Sequence, residues 1–285
     1  MTTFKKIKFA TDSVCDIPDD LVRQWDITVI PCFVNYGGIS HADDGVELVR
    51  EMYYRELPAM KETPTTAAMP PEVARTALER AYEHADHLVV ITTPARLSGI
   101  YNSMRLAIED AGFAPERVTL LDSGQLSMGI GWQVLVGAEA AARTGSVQQT
   151  LEAIQQAKQK QVVYAALETL EFLRRSGRVG WAAANIGALL QIKPVVEVVE
   201  GEVSATARVR TFNKALDKLA ELVRQQAPLD RLALLHVNNL NALDGMRERL
   251  KDILPPETIT GMIGPTLGTH IGPGAIGAAV LRKNL

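Results

Sequence analysis

An apolar run of mostly β-branched residues, Leu88-Val89-Val90-Ile91-Thr92, breaks into Thr93, a proline and a Ser98-Gly99 pair before the helical pattern of 101–108. Strand, polar loop and helix in that order constrain the fold more than any other feature of this chain. The same grammar recurs at 7–13, where a strand ends in Asp12-Ser13, and at 117–124, where a strand ends in Asp122-Ser123-Gly124. Such units stack into an α/β sheet whose ligands bind at the carboxyl edge of the strands. Ser98 and Gly99 therefore stand where unpaired helix N–H groups and the helix dipole favour an anion. A serine that only caps the helix is the competing reading. Asp12 and Ser13 are open in the same way, between a ligand edge and a self-tied turn.

At 285 residues the chain exceeds a usual single core, so one large or two moderate domains are expected, and the strand that restarts the pattern at 162 divides the chain as 1–160 and 161–285, each a sheet flanked by helices. Thirty Lys and Arg against 33 Asp and Glu, a formal charge of -3, leave no basic footprint for nucleic acid. No apolar run reaches the roughly 20 residues of an integral membrane segment, and no signal-peptide core precedes the first strand, so a cytoplasmic protein is expected. Cys15 and Cys32 suit packed, reduced thiols rather than a metal pair, and no metal or cofactor is expected.

Along the first half, Asp16 reads as the N-cap of a helix carrying Leu21 and Val22, with Pro18 in its first turn. An extended stretch at 27–36 ends at Gly37-Gly38. His41-Ala42-Asp43-Asp44-Gly45 lacks the spacing of a calcium loop and reads as a solvated turn before a helix at 46–57. Thr65 and Thr66 lie in a loop stiffened by Pro64, Pro70 and Pro71, able to cover a site or merely to connect, and a helix follows at 73–85. His84 and His87 read as surface residues. The glycines of 127–131 fail the dinucleotide pattern at Val134 and suit close helix packing; a helix at 147–160 follows.

The second half restarts with a strand at 162–166, a helix containing Leu167, Leu170 and Leu173, and a positive cluster at 174–178 that reads as solvated or as a contact for an acidic partner. A nearly charge-free helix from Trp181 to Leu190 must be buried or line something apolar. Glu200-Gly201 joins a hairpin, a helix runs to about Gln225, and strands follow at 232–237 and 258–263, the latter expected to be the last. His270-Ile271-Gly272-Pro273-Gly274 then reads as a tight turn that a ligand can approach, with too few residues after Gly277 for another strand.

Taken together, these motifs resemble the DegV family of bacterial proteins: Thr11-Asp12-Ser13, Thr66, Leu97-Ser98-Gly99 with Tyr101, Asp122-Ser123, Ser176-Gly177-Arg178, Ile192-Lys193-Pro194, Arg210-Thr211 and His270-Ile271-Gly272-Pro273-Gly274. The resemblance implies two α/β domains around a long-chain fatty acid such as palmitate. It also implies a carrier rather than a catalyst, for lipid transport or for presentation to an ATP-binding fatty acid kinase subunit. Carried onto this chain, it implies that Thr66, Ser98 and His270 bind the carboxylate. Asp12, Ser13, Thr93, Gly99 and Ser123 lie near the site, and Arg210 serves partner docking. Ala67-Ala68-Met69 stands where the family usually has Ser-Gln-Pro, Thr92-Thr93 where it has Ser-Ser, and Ile100 where a threonine usually follows Ser-Gly. The Trp181–Leu190 segment is the candidate channel wall.

The alternative is a serine hydrolase or acyltransferase using Ser98 or Ser123 with His270 and Asp12 or Asp122. Neither serine sits in a G-x-S-x-G elbow. A nucleotide site ranks third, because no Walker sequence is present and the one dinucleotide match, at 272–277, lacks its context.

Overall fold

Alternating or continuous β-branched runs form three sheets in a computed structural model that describes residues 6–178, 180 and 192–283. In the first, β1 (Ile7–Asp12), β2 (Thr28–Ile30), β6 (His87–Thr92) and β7 (Val118–Asp122) are parallel in the order β2-β1-β6-β7. Every residue of β6 is buried, as expected of a parallel strand covered on both faces. The cover comes from α3 (Pro71–Glu83) and α5 (Met128–Thr144), while α4 (Ile100–Asp110) packs on α3. Close packing accounts for the glycines of α5: a Cβ on Gly131 would fall 2.7 Å from Met128 Sδ and 3.1 Å from the Cys15 carbonyl oxygen.

A second, antiparallel sheet of three strands, β4-β3-β5, is made by β3 (Phe33–Tyr36), β4 (Ile39–Ala42) and β5 (Thr65–Ala67). It is linked to α1 (Asp19–Gln24) and α2 (Arg50–Glu56) along the chain.

The third sheet, in the order β10-β9-β8-β13-β11-β12, is built from β8 (Gln161–Ala166), β9 (Lys193–Val199), β10 (Glu202–Val209), β11 (Leu229–His236), β12 (Ile259–Met262) and β13 (Ile276–Arg282). Helix α6 (Val147–Lys160) runs directly into it, with Ser146 capping through Gln149 N–H, and α7 (Glu171–Ser176) follows β8. The hairpin between β9 and β10 turns at Glu200 and Gly201, both at positive φ. One face of this sheet is closed by α8 (Phe212–Arg224) and α9 (Leu240–Leu250), through Leu216, Leu219, Val223 and Met246 against Tyr164, Leu232, Leu234 and Val280. Its other face, carrying Val163, Val196, Val198, Leu235 and Ala279, belongs to the same continuous core as the first sheet. Trp132 of α5 is fully buried there and donates its indole N–H to the Ala279 carbonyl at 3.1 Å.

The chain is thus a mixed α/β protein with helices flanking its sheets, as expected. Several local expectations are corrected. Asp16 is not the N-cap of α1: it sits at φ 50, closing the short 3-10 turn Ser13–Cys15, is buried, and spends its carboxylate on tertiary partners, leaving Pro18 at the N-cap of α1. The helix expected at 46–57 begins only at Arg50, and the one expected from Leu167 begins at Glu171. His87 is buried at the start of β6, its Nε2 2.8 Å from Thr119 Oγ1. Most consequential, the strand at 259–262 is not the last. The small residues of 276–282 form β13, paired with both β8 and β11. The glycines preceding it made that stretch look like a loop. The Trp181–Leu190 helix lies outside the described residues.

Candidate functional site

The carboxyl end of β6 is fastened first. Asp12, at the end of β1, is fully buried; its Oδ1 accepts from Val14 N–H (3.1 Å) and Thr93 Oγ1 (2.8 Å), and its Oδ2 from Thr93 N–H (2.8 Å). Burial raises its pKa, while the bonds from Thr93 and Val14 oppose the rise. The loop then folds back, with Leu97 and Ser98 N–H both donating to the Pro94 carbonyl, and enters α4 at Gly99. Ser98 Oγ accepts weakly from Ile100 N–H at 3.3 Å.

Thr66 comes from β5, opposite Val34 of β3. His270 lies in the last turn of α10 (Pro265–Ile271), which terminates at Gly272 with φ 79. Their side chains meet, Thr66 Oγ1 standing 2.7 Å from His270 Nε2. Burial, and secondarily the Arg178 guanidinium, push the His270 pKa down to about 4, so the ring is neutral near pH 7 and can serve the pair as donor or acceptor.

Thr66, Ser98 and His270 line one cavity, together with Thr93, Gly99 and Ile100. The space open to the centre of a water molecule is ≈ 180 Å³. Most of the remaining lining is apolar. Val163, Val196, Val198 and Leu235 come from the inner face of the third sheet, Leu126 from the approach to α5, Val203 from β10, and Ile263 and Leu267 from the approach to and first turns of α10. Ala67, Ala68 and Ile100, the departures from the usual family pattern, place apolar groups at the rim. Such a cavity combines hydroxyls and a helix start able to hold an anion with a predominantly apolar wall.

Of the other expected residues, Thr93 and Gly99 line the cavity, while Asp12 acts behind it by holding Thr93. Ser13 and Ser123 are not among its lining residues: Ser13 Oγ accepts from Cys32 N–H at 3.0 Å, and Ser123 Oγ bonds the Gln125 backbone. Arg210 is exposed just after β10. No hydrolytic triad is assembled among the described residues. Asp12 is committed to Thr93 and Val14, Asp122 accepts from the Ala95 and Gly124 N–H groups, and His270 faces Thr66.

Four polar or charged lining residues were not expected at the site: Ser127 and Thr266, and Ser176 and Arg178, which the sequence offered only within a family motif and a positive cluster. Ser127 and Thr266 are held by buried carboxylates. Asp16 Oδ2 accepts from Ser127 Oγ at 2.5 Å and its Oδ1 from Gly264 N–H at 2.7 Å, while Asp43 Oδ2 accepts from Thr266 N–H at 2.9 Å. Asp43 is 3 % exposed, so only Asp44 of the expected solvated turn behaves as expected, tying Val46 and Glu47 N–H. Burial raises Asp43 and lifts Asp16 to about 6, despite Arg50 Nη1 at 3.9 Å from Asp16. Arg50 also donates to the Met262 carbonyl at 2.5 Å. Asp16 and Asp43, each in its own polar turn, gave no signal of these pairings, because their partners are 111 to 248 positions away. In the positive cluster at 174–178, Arg175 pairs with Glu171 while Arg178 turns to the cavity.

Comparison with known proteins places this geometry in context. The family model described as "Uncharacterised protein, DegV family" matches residues 6–283. A DegV domain-containing protein of Deinococcus radiodurans is 34% identical over 278 residues, 96% of this chain and 98% of the relative. A solved DegV family protein from Thermus thermophilus, described by its fatty acid binding, superposes with a TM-score of 0.89 at 29% identity, covering 98% of this chain and 100% of its own. DegV from Bacillus subtilis, described as a fatty acid binding protein, gives 0.86 at 26% identity, with the same two coverages. With a family match running from the first strand through the last, and a relative above 30% identity across nearly its whole length, the chain belongs to the DegV family.

Proposed function

We propose that this protein binds one long-chain fatty acid, its carboxylate at Thr66, Ser98 and His270 and its acyl tail along the inner face of the third sheet. The observation that carries the reading is the cavity itself: hydroxyls, a helix start and a neutral imidazole line the same, predominantly apolar space. Charge-assisted hydrogen bonds orient the head, with Arg178 as the one lining residue of fixed charge among those described. Burial of the tail, roughly 0.8 kcal/mol per methylene, dominates affinity. The descriptions of the Thermus thermophilus and Bacillus subtilis relatives support the same ligand class.

On this reading the protein is a cytoplasmic carrier of palmitate-like acids, not a catalyst. It consists of an N-terminal domain of 1–160 and a C-terminal domain of 161–285. It takes part in lipid transport or presents the acid to an ATP-binding kinase subunit, with exposed Arg210 at the docking face. Among the described residues no helix is long and apolar enough to cross a membrane, and no group of three His, Cys, Asp or Glu is placed to hold a metal.

Organic extraction of the purified protein followed by mass spectrometry tests the proposal. Co-purified long-chain fatty acid is expected. A protein that is empty and also ignores added palmitate and oleate overturns it.

A further inference from the structure

Gly277 lies within β13, in the interior of the third sheet, in register with Leu235 of β11 on one side and Ala165 of β8 on the other. Glycine inside a strand weakens it and calls for a reason. Two ordinary reasons are absent. Its φ is not in the left-handed region, and a Cβ there would meet nothing nearer than the Tyr164 carbonyl oxygen at 3.7 Å and Ile263 Cδ1 at 3.8 Å, ordinary contact distances. The backbone and the neighbouring protein would both accept alanine.

What the missing side chain leaves open is the cavity. Gly277 alternates with buried Ala275 and Ala279, which belong to the inner-face core, and it lines the cavity beside Ile263. Its partner Ala165 keeps accessible surface although β8 is paired on both sides, and it too lines the cavity. One row across the sheet therefore reads Leu235, Gly277, Ala165, Val196, with its two smallest residues side by side between larger ones. The adjacent row, Ala233, Ala279, Val163, Val198, continues the low ground on β13. Together they form a trough crossing the sheet at its central strands.

We propose that the acyl chain lies in this trough and that Gly277, with Ala165 beside it, is the specificity-determining position that sets the bulk and length of chain admitted. The inference rests on the fatty-acid reading above and adds to it the place where chain selection occurs. A side chain at 277 displaces methylenes from the trough, at about fourfold in affinity for each one lost.

The test compares wild type with Gly277→Ala, Gly277→Val and Ala165→Val, and with Gly245→Ala on α9 as a control away from the cavity. Displacement of a fluorescent polyene fatty acid by myristate, palmitate and stearate gives affinities, and mass spectrometry gives the co-purified chain profile. For Gly277→Ala, a melting temperature at or above that of the wild type is expected in the delipidated protein, since the methyl fits and strand entropy improves, together with a several-fold weaker affinity for palmitate. Gly277→Val and Ala165→Val should lose tenfold or more for palmitate and shift the profile toward shorter chains, with Gly245→Ala unchanged. If Gly277→Ala and Ala165→Val bind all three acids within twofold of wild type with the same profile, the trough is not the selecting element, and fatty-acid binding itself stands. A wild type that binds none of the acids overturns both readings.

Discussion

Thr66 Oγ1 and His270 Nε2 stand 2.7 Å apart although their residues are separated by 204 positions, one in the edge of a small antiparallel sheet and the other in a short helix before β13. In the proposed head-group site neither side chain acts alone. Thr66→Val keeps the shape, removes the hydroxyl and leaves the imidazole without its partner. Affinity for palmitate should fall by about 1–3 kcal/mol, as should that of Ser98→Ala, and the double variant should lose less than the sum because both donors serve one carboxylate. Titration calorimetry of delipidated protein checks this, and unchanged affinity in both single variants counts against the assignment.

The depressed pKa of His270 makes a signed prediction about acid. Above pH 6.5 the ring is neutral in folded and unfolded chains alike and contributes no pH dependence. Between pH 6.5 and about 4 the unfolded chain takes up a proton that the native site resists, so this residue's contribution to stability falls as pH falls, by up to about 3 kcal/mol. Asp16 acts in the opposite sense over part of that range. Its pKa is raised from 3.8 to about 6, so native protein binds the proton first as pH drops. Comparing wild type with His270→Asn cancels Asp16. The urea-unfolding free energy of wild type minus that of His270→Asn should be flat well above pH 6.5 and fall steadily toward pH 4.

Asp12 is expected to matter for stability although it does not touch the cavity. Asp12→Ala strands two buried N–H groups and the Thr93 hydroxyl, which should cost about 2–4 kcal/mol in chemical denaturation. Asp12→Asn should cost less, because a carbonyl oxygen remains to accept at the Oδ1 position.

Gly268 and Gly277 should respond in opposite ways to the same methyl group. A Cβ on Gly268 would overlap the ring of Tyr54, which is buried and donates its hydroxyl to the Ile263 carbonyl at 2.7 Å. Gly268→Ala must therefore displace Tyr54 and should cost about 1–3 kcal/mol, seen as a lowered melting temperature, whereas the same change at 277 fits without displacement.

The parts of the fold that were legible in the sequence are those set by local pattern. The apolar runs gave β1, β6, β7, β8 and β11, and the Glu200-Gly201 turn gave its hairpin, because periodicity and turn chemistry act over a few residues. β13 was missed because IGAAVLR follows a glycine-rich stretch, and what makes it a strand is two neighbours far away in sequence. The cavity's hydroxyl rim was legible only as candidates, through the strand–loop–helix grammar and the family resemblance. Asp16, Asp43 and Ser127 were not legible. Asp16 has the sequence of a helix cap and Asp43 that of a solvated loop, and tertiary partners overrode both.

The position of β13 also dictates an order of events during synthesis. Among the described residues, 276–282 are the only link between β8 and β11 in the third sheet, so until they have emerged from the ribosome the strands at 161–166 and 229–236 share no neighbour among them. The strand pairing of the first sheet uses nothing beyond residue 122 and can form while translation continues, its second face closing once α5 follows. The trough under Gly277 is consequently completed after everything it will face. A nascent chain halted before residue 276 carries an assembled first sheet but no floor on which an acyl chain could rest.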